Sequence, residues 1–277
     1  MLCTLDVSIA DLLQSTLHNA TDSPFLRLPP DVRNRIYYFT FGNRTIHVRS
    51  IPDSNAMIYF GACRIDEECE SVHVRSWSLF IPNSDCHWHS VYAKRHSDCT
   101  SRFTRSMLGP RWWLLLVCRQ IYQEAALIPF TSNTYTFEGI ACLKRFVQVL
   151  MPCQARALTR IVLVVGELDV LALPKPVPIP DRMLASLVGL KCLHLVLGAQ
   201  WRVCWEQSWA KAYNNEFAKS FQFLNLHSFR KLHLAEFRIY AEIEIRDGMG
   251  PDPDAIRDRV GSWVKAEETN ILTWAKR

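Results

Sequence analysis

Three segments in the second half of the chain share one six-residue spacing: Leu158-x-x-Ile161-x-Leu163, Leu190-x-x-Leu193-x-Leu195 and Phe229-x-x-Leu232-x-Leu234. In each, the last two apolar positions are two residues apart and fall on one face of a strand. Helix-like stretches lie between them, short over Met183–Val188 and long over Trp205–Leu224, where Trp209, Tyr213, Phe217 and Phe221 are spaced for one side. Strands that alternate with helices pair in parallel, because a parallel neighbour needs a crossover and a parallel sheet needs cover on both faces. The expected fold is therefore α/β, with a small, mostly parallel sheet and covering helices. Phe237–Ile245 alternates apolar and polar residues and reads as an extension of the last strand or an edge strand. Asp252-Pro253-Asp254 starts a terminal helix, with Ile256, Val260, Trp263, Ile271 and Trp274 available for docking.

The first half opens with a short helical pattern at Leu5, Ile9, Leu12, Leu13 and Leu17, broken by Asp22-Ser23-Pro24. Pro29 and Pro30 then preset a helix start, and Asp31 adds a carboxylate to its positive first turn. Val32, Ile36 and Phe39 fall on one face of this helix, with Arg33 and Arg35 on the other. Phe25, Leu26 and Leu28 can fold back on it as a staple, and Gly42-Asn43 ends it. Thr45–Val48 alternates as a strand does. Further on, Leu114, Val117, Cys118, Ile121, Ala125 and Ile128 repeat at helical spacing up to Pro129, with Arg119, Gln120, Gln123 and Glu124 opposite. A short strand over Thr134–Phe137 follows, and then a helix carrying Ile140, Leu143, Phe146, Val147 and Leu150 before Pro152.

Leu28-Pro29-Pro30-Asp31-Val32 with Ile36 resembles the opening of an F-box. With Arg33 and Tyr37 it is similar to a group of fungal proteins of undefined function that open Leu-Pro-x-Glu-x-Arg-x-x-Ile-Tyr. The segment Leu114–Ala126 and the stretch Asn133–Phe137 resemble a second element of those fungal proteins, a Leu-x-x-Cys/Asn-Arg-Gln-Ile-x-x-Glu-Ala helix followed by an Asn-x-Phe/Tyr-x-Phe strand. The resemblance implies an F-box-like helical N-terminal part and a protein partner, a ubiquitin-ligase adaptor, met by Leu28, Pro29, Val32, Ile36 and Tyr37 and by the surface of the second helix. The three C-terminal segments resemble the strand portion of leucine-rich repeats. Their spacing of 32 and 39 residues exceeds the roughly 20–29 of regular repeats, so an irregular version is implied. This divides the chain into an F-box-like start (1–43), an insertion (44–111) and a helix plus α/β region (112–277), read as one continuous unit.

Composition narrows the class. With 49% hydrophobic and 21% charged residues, the chain is an ordinary globular mixture with ample core material. Its longest apolar run, Trp112–Cys118, is seven residues, against the ~20 that span a bilayer. The N-terminus lacks the pattern of a secretory signal, so a cytoplasmic or nuclear location is expected, with the ten cysteines mostly reduced thiols. The net charge of +5 is concentrated near Lys94, Arg95, Arg102, Arg105 and Arg111. That stretch is interleaved with Trp88, Tyr92, Phe103, Trp112 and Trp113, but no nucleic-acid-binding pattern accompanies it and nucleic acid is not the expected partner.

The insertion concentrates the chemistry. Cys86 with His89, and His96 with Cys99, are two ligand pairs of the kind a structural zinc takes, and Cys63 and Cys69 can add or replace ligands. No other cofactor is implied. The acidic cluster Asp66–Glu70 has no calcium-loop spacing, and Gly248-Met-Gly250-Pro251 lacks the Lys-Ser/Thr of a phosphate loop. No nucleophile elbow or metalloprotease motif occurs. The expectation is thus an interaction or adaptor protein without turnover. The alternative is an enzyme of fungal secondary metabolism with its active site in the insertion. In that case His87, His89 and His96 would act as acid or base with Arg95, between walls of Trp88 and Tyr92.

Overall fold

The structure is a computed structural model of the whole chain. It describes residues 14, 18, 21–50, 58–63, 79–80, 96, 99, 114–115, 117–165, 179–199, 226–244 and 253–274. Helix α1 (Pro30–Phe41) leads into strands β1 (Thr45–Ser50), β2 (Ile58–Ala62) and β3 (Leu79–Phe80). Short helices α2 (Arg119–Ala125) and α3 (Ile128–Ser132) precede β4 (Thr134–Glu138), then α4 (Ile140–Val149) and α5 (Pro152–Ala157). Strand β5 (Arg160–Val165), α6 (Asp181–Ser186), β6 (Cys192–Ala199), a 3-10 turn (Leu226–Lys231), β7 (Glu236–Glu244) and α7 (Pro253–Trp274) complete the order.

The strands form one seven-stranded sheet in the order β2-β1-β4-β5-β6-β7-β3. Among the described residues every pairing is parallel except β1 with β2. Fold class is therefore α/β with a mostly parallel sheet. Three of its strands, β1, β2 and β3, come from the stretch between the two helix-forming segments. Register makes one face continuous: Ile46, Tyr135, Ile161, Leu193 and Phe237 lie in one row, and Val48, Phe137, Leu163, Leu195 and Ile239 in the next. All ten are buried in the main core, together with Leu143 and Phe146 of α4, Leu184 of α6, and Val264 and Ile271 of α7. In the terminal helix Trp263 packs against this core as expected, while the side chains of Ile256, Val260 and Trp274 lie outside the described residues.

The same register corrects the third member of the repeat. Arg160 pairs with Cys192 and Cys192 with Glu236. The segment equivalent to Leu158–Leu163 and Leu190–Leu195 is therefore Leu234-x-x-Phe237-x-Ile239. Phe229 and Leu232 instead sit in and just after the 3-10 turn, buried against the sheet as a cover. Both segments satisfy the spacing, and only pairing with β6 distinguishes them.

Two glycines have structural reasons to be there, one conformational and one steric. Gly139 takes φ 86° at the junction of β4 and α4, a region closed to most side chains, and donates its N–H to the Val164 carbonyl at 2.7 Å. At Gly189 a Cβ would stand 1.9 Å from the Arg156 carbonyl oxygen.

The helices differ from the expectation in three places. α2 begins at Arg119, not near Leu114, because Cys118 is extended (φ −155°, ψ 160°). Leu114, Leu115 and Cys118 instead pack into a second, smaller core with Leu26, Tyr37, Phe41, Ile121 and Ala125. Pro129 does not end one long helix; it lies in the first turn of α3, where its missing N–H costs nothing. In α1 the inward stripe is Arg33, Tyr37 and Phe41, not Val32, Ile36 and Phe39. Val32 and Phe39 point outward, 43% and 67% exposed.

An arginine can face inward there because its charge is met on every side. Arg33 donates bidentately to Glu124 of α2 (Nε to Oε2 at 2.9 Å, Nη2 to Oε1 at 2.6 Å) and through Nη1 to the carbonyls of Leu26 and Leu28. The Tyr37 hydroxyl donates to the same carboxylate at 2.9 Å, and Gln120 Nε2 at 3.1 Å. The Arg33 contacts hold the Glu124 carboxyl down at about 2, and the Arg33 guanidinium is in turn raised. Burial pushes the Tyr37 phenol up. Asn133, fully buried before β4, donates to Phe41 O at 2.6 Å and accepts from Arg44 N at 2.9 Å, tying the end of α1 to the sheet. Arg33, Tyr37, Gln120, Glu124 and Asn133, all prominent in the sequence patterns, thus work together as structural ties.

Candidate metal centre

The sheet face opposite the main core carries a row formed by His47, Thr136, Val162, His194 and Arg238. At its β1 end lies a cluster of metal-binding side chains. Antiparallel pairing sets Ile46 against Ala62, and Cys63 N donates to Thr45 O at 2.8 Å. Cys63 is therefore opposite Thr45, on the face that also carries His47, because side chains two residues apart share a face. His96 and Cys99, three residues apart, complete the group. The ligand atoms of His47, Cys63, His96 and Cys99 all lie within 4.8 Å of one another.

The geometry fits a tetrahedral ion. With Zn–S near 2.3 Å and Zn–N near 2.0–2.1 Å, a tetrahedral sulfur and nitrogen stand about 3.6 Å apart. His96 Nδ1 is 3.5 Å from Cys63 Sγ and 3.9 Å from Cys99 Sγ, and the rings of His47 and His96 lie 4.5 Å apart. His47, His96 and Cys99 are buried and Cys63 is half-buried. Burial, and then the neighbouring His96, lowers His47 to about 3. Its imidazole is thereby kept neutral, the form that binds a metal. Four protein donors would close the coordination sphere of such an ion, the arrangement of structural rather than catalytic zinc sites.

His96 and Cys99, paired in the sequence, do come together, and Cys63 joins them as a named substitute. His47 was missed, because in Thr45–Val48 it reads only as one residue of an alternating strand. The other predicted pair, Cys86 and His89, lies outside the described residues. So do Cys69, His87, Trp88, Tyr92, Arg95, the basic and acidic stretches and the Gly248–Pro251 segment. Among the residues expected to meet a partner, Pro29 and Val32 are exposed, Leu28 and Ile36 half-buried, and Tyr37 fully buried. Tyr37 therefore cannot present a surface.

A mostly parallel α/β sheet with four Cys and His side chains gathered beside the antiparallel β1–β2 pair defines the class of protein. More specifically, residues 18–171 match the family described as Domain of unknown function (DUF7730). The match spans more than half of the chain, which belongs to that family. No curated protein and no solved structure matches it. Among the described residues, no helix is long and apolar enough to cross a membrane.

Proposed function

We propose that this is an interaction protein without turnover, stapled by a structural zinc ion on His47, Cys63, His96 and Cys99. The observation that carries the reading is the outward set of large apolar side chains on the α1–α2 unit. Val32, Tyr38 and Phe39 of α1, with Val117, Tyr122 and Leu127 in and around α2, are all at least 40% exposed. Exposed apolar residues clustered on one small unit mark a partner surface more often than scattered ones do. The buried Arg33–Glu124 tie holds the two helices as one body, so the surface is presented ready-made. The zinc would join His47 of β1 and Cys63, just past the edge strand β2, to His96 and Cys99.

The F-box resemblance names the first partner to test, the ubiquitin-ligase adaptor. Full-length protein is expected to retain purified adaptor in a pull-down, and Val32→Asp with Phe39→Asp to abolish retention at unchanged stability. A folded wild type that retains no adaptor removes that partner. Elemental analysis tests the staple separately: Cys99→Ser is expected to lose bound zinc, and unchanged zinc content would remove it.

A further inference from the structure

A second group on the same sheet face is independent of the interaction reading. Cys192 and His194 alternate along β6 and so project together on the face opposite Leu193 and Leu195. Parallel register sets Glu236 of β7 directly beside Cys192. Cys192 Sγ lies 3.2 Å from His194 Nε2 and 3.6 Å from Glu236 Oε2, and His194 Nε2 lies 3.4 Å from Glu236 Oε1. Thiolate, imidazole and carboxylate on one tetrahedral ion stand about 3.3–3.6 Å apart, given metal–ligand bonds of 2.0–2.3 Å. Tyr240 meets the His194 ring edge-on at 5.6 Å and helps fix its orientation.

We propose that Cys192, His194 and Glu236 form a second divalent-metal site, of the zinc class, with one coordination position left for a small anion. Three protein donors leave a tetrahedral ion one position short, the condition that separates exchangeable sites from closed ones. Solvent reaches that position, since the side chains of His194 and Glu236 are 22% and 49% exposed. The neighbouring charges select the fourth ligand. A divalent ion with one thiolate and one carboxylate is neutral, whereas Arg160, in register with Cys192, and Arg238, 3.6 Å from Glu236, are cationic. They favour an anion on the metal and weaken metal entry, so this site loads after the His47 cluster. His47 and His194 lie on the same row three strands apart, about 14 Å at ordinary strand spacing, too far to share an ion.

The test is cobalt(II) titration of metal-stripped, full-length protein, read by thiolate charge-transfer absorption. Cys192→Ser and His194→Ala are each expected to bind one equivalent fewer than wild type, at unchanged helix content. Glu236→Gln, which keeps the shape of the site, is expected to weaken that equivalent about tenfold or more. Azide is expected to shift the cobalt spectrum of wild type but not of Cys192→Ser. The Cys63→Ser/Cys99→Ser variant is expected to retain the azide-sensitive equivalent, so failure of the first cluster leaves this result readable. Equal stoichiometry in wild type and Cys192→Ser overturns the site, and a wild-type spectrum unmoved by azide overturns its open position.

Discussion

Arg33 keeps only 6% of its surface exposed, and its place in the core depends on the Glu124 carboxylate. Removing the guanidinium leaves the half-buried Glu124 carboxylate without its partner, so Arg33→Met is expected to destabilise by about 1–3 kcal/mol in denaturant unfolding. Arg33→Met with Glu124→Leu should recover most of that loss, since an apolar pair of similar volume often replaces a buried ion pair without penalty. Glu124 also predicts a pH dependence. Its folded value, about 2, lies below the usual 4.5. Its stabilisation is therefore complete above about pH 4.5 and is lost as pH falls toward about 2, by at most about 3 kcal/mol. Unfolding curves at about pH 6 and pH 3 should show this loss in wild type, and Glu124→Gln should flatten that part of the profile. Gly189 presents a steric problem instead. Its absent Cβ would overlap a backbone carbonyl oxygen that cannot turn aside, so Gly189→Ala is expected to cost about 1–3 kcal/mol or more in the same assay.

At the scale of elements, α1 separates two roles by face. Its inner stripe of Arg33, Tyr37 and Phe41 builds the small core with α2, while Val32, Tyr38 and Phe39 look outward. Substitution on the two faces should therefore have opposite signatures. Tyr37→Ala deletes a fully buried ring and the hydroxyl bonded to Glu124, and is expected to cost about 3–5 kcal/mol. Phe39→Asp changes an exposed position and should alter stability by no more than about 0.5 kcal/mol. If thermal unfolding shows Phe39→Asp to be as damaging as Tyr37→Ala, the outer face is structural and no partner surface exists there.

Across the whole molecule, the His47 cluster gathers side chains from separate parts of the chain beside one edge of the sheet. A ligand that binds only the folded state adds stability by mass action, about 4 kcal/mol at a thousandfold excess over its dissociation constant. Stripping metal with a chelator is then expected to lower Tm by roughly 10 °C, at about 2–4 °C per kcal/mol for a chain of this size. His47→Ala should show the lowered value from the start and respond little to the chelator. A wild-type Tm unmoved by chelator would mean that the four side chains hold no stabilising ion.

The sequence by itself determined the α/β class, the strand at Thr134–Phe137 and the face shared by Ile161, Leu163, Leu193 and Leu195. It also determined the inner face of α4, where Leu143, Phe146 and Val147 are buried as their spacing requires. These are properties of period, which a strand or helix imposes on its own residues. Wherever a period was shared by two candidates, tertiary contacts decided. The third repeat could be Phe229–Leu234 or Leu234–Ile239, and hydrogen bonding to β6 selected the second. The inner face of α1 could be Val32 with Phe39 or Arg33 with Tyr37, and a carboxylate ninety-one residues away selected the second. Candidate metal ligands were legible where they lay close together, as at His96 and Cys99. They were invisible where strand pairing assembled them, as for His47 beside the already named Cys63 and for Cys192 beside Glu236. Spacing along the chain encodes which face a residue takes, whereas only strand register encodes which neighbour it meets there.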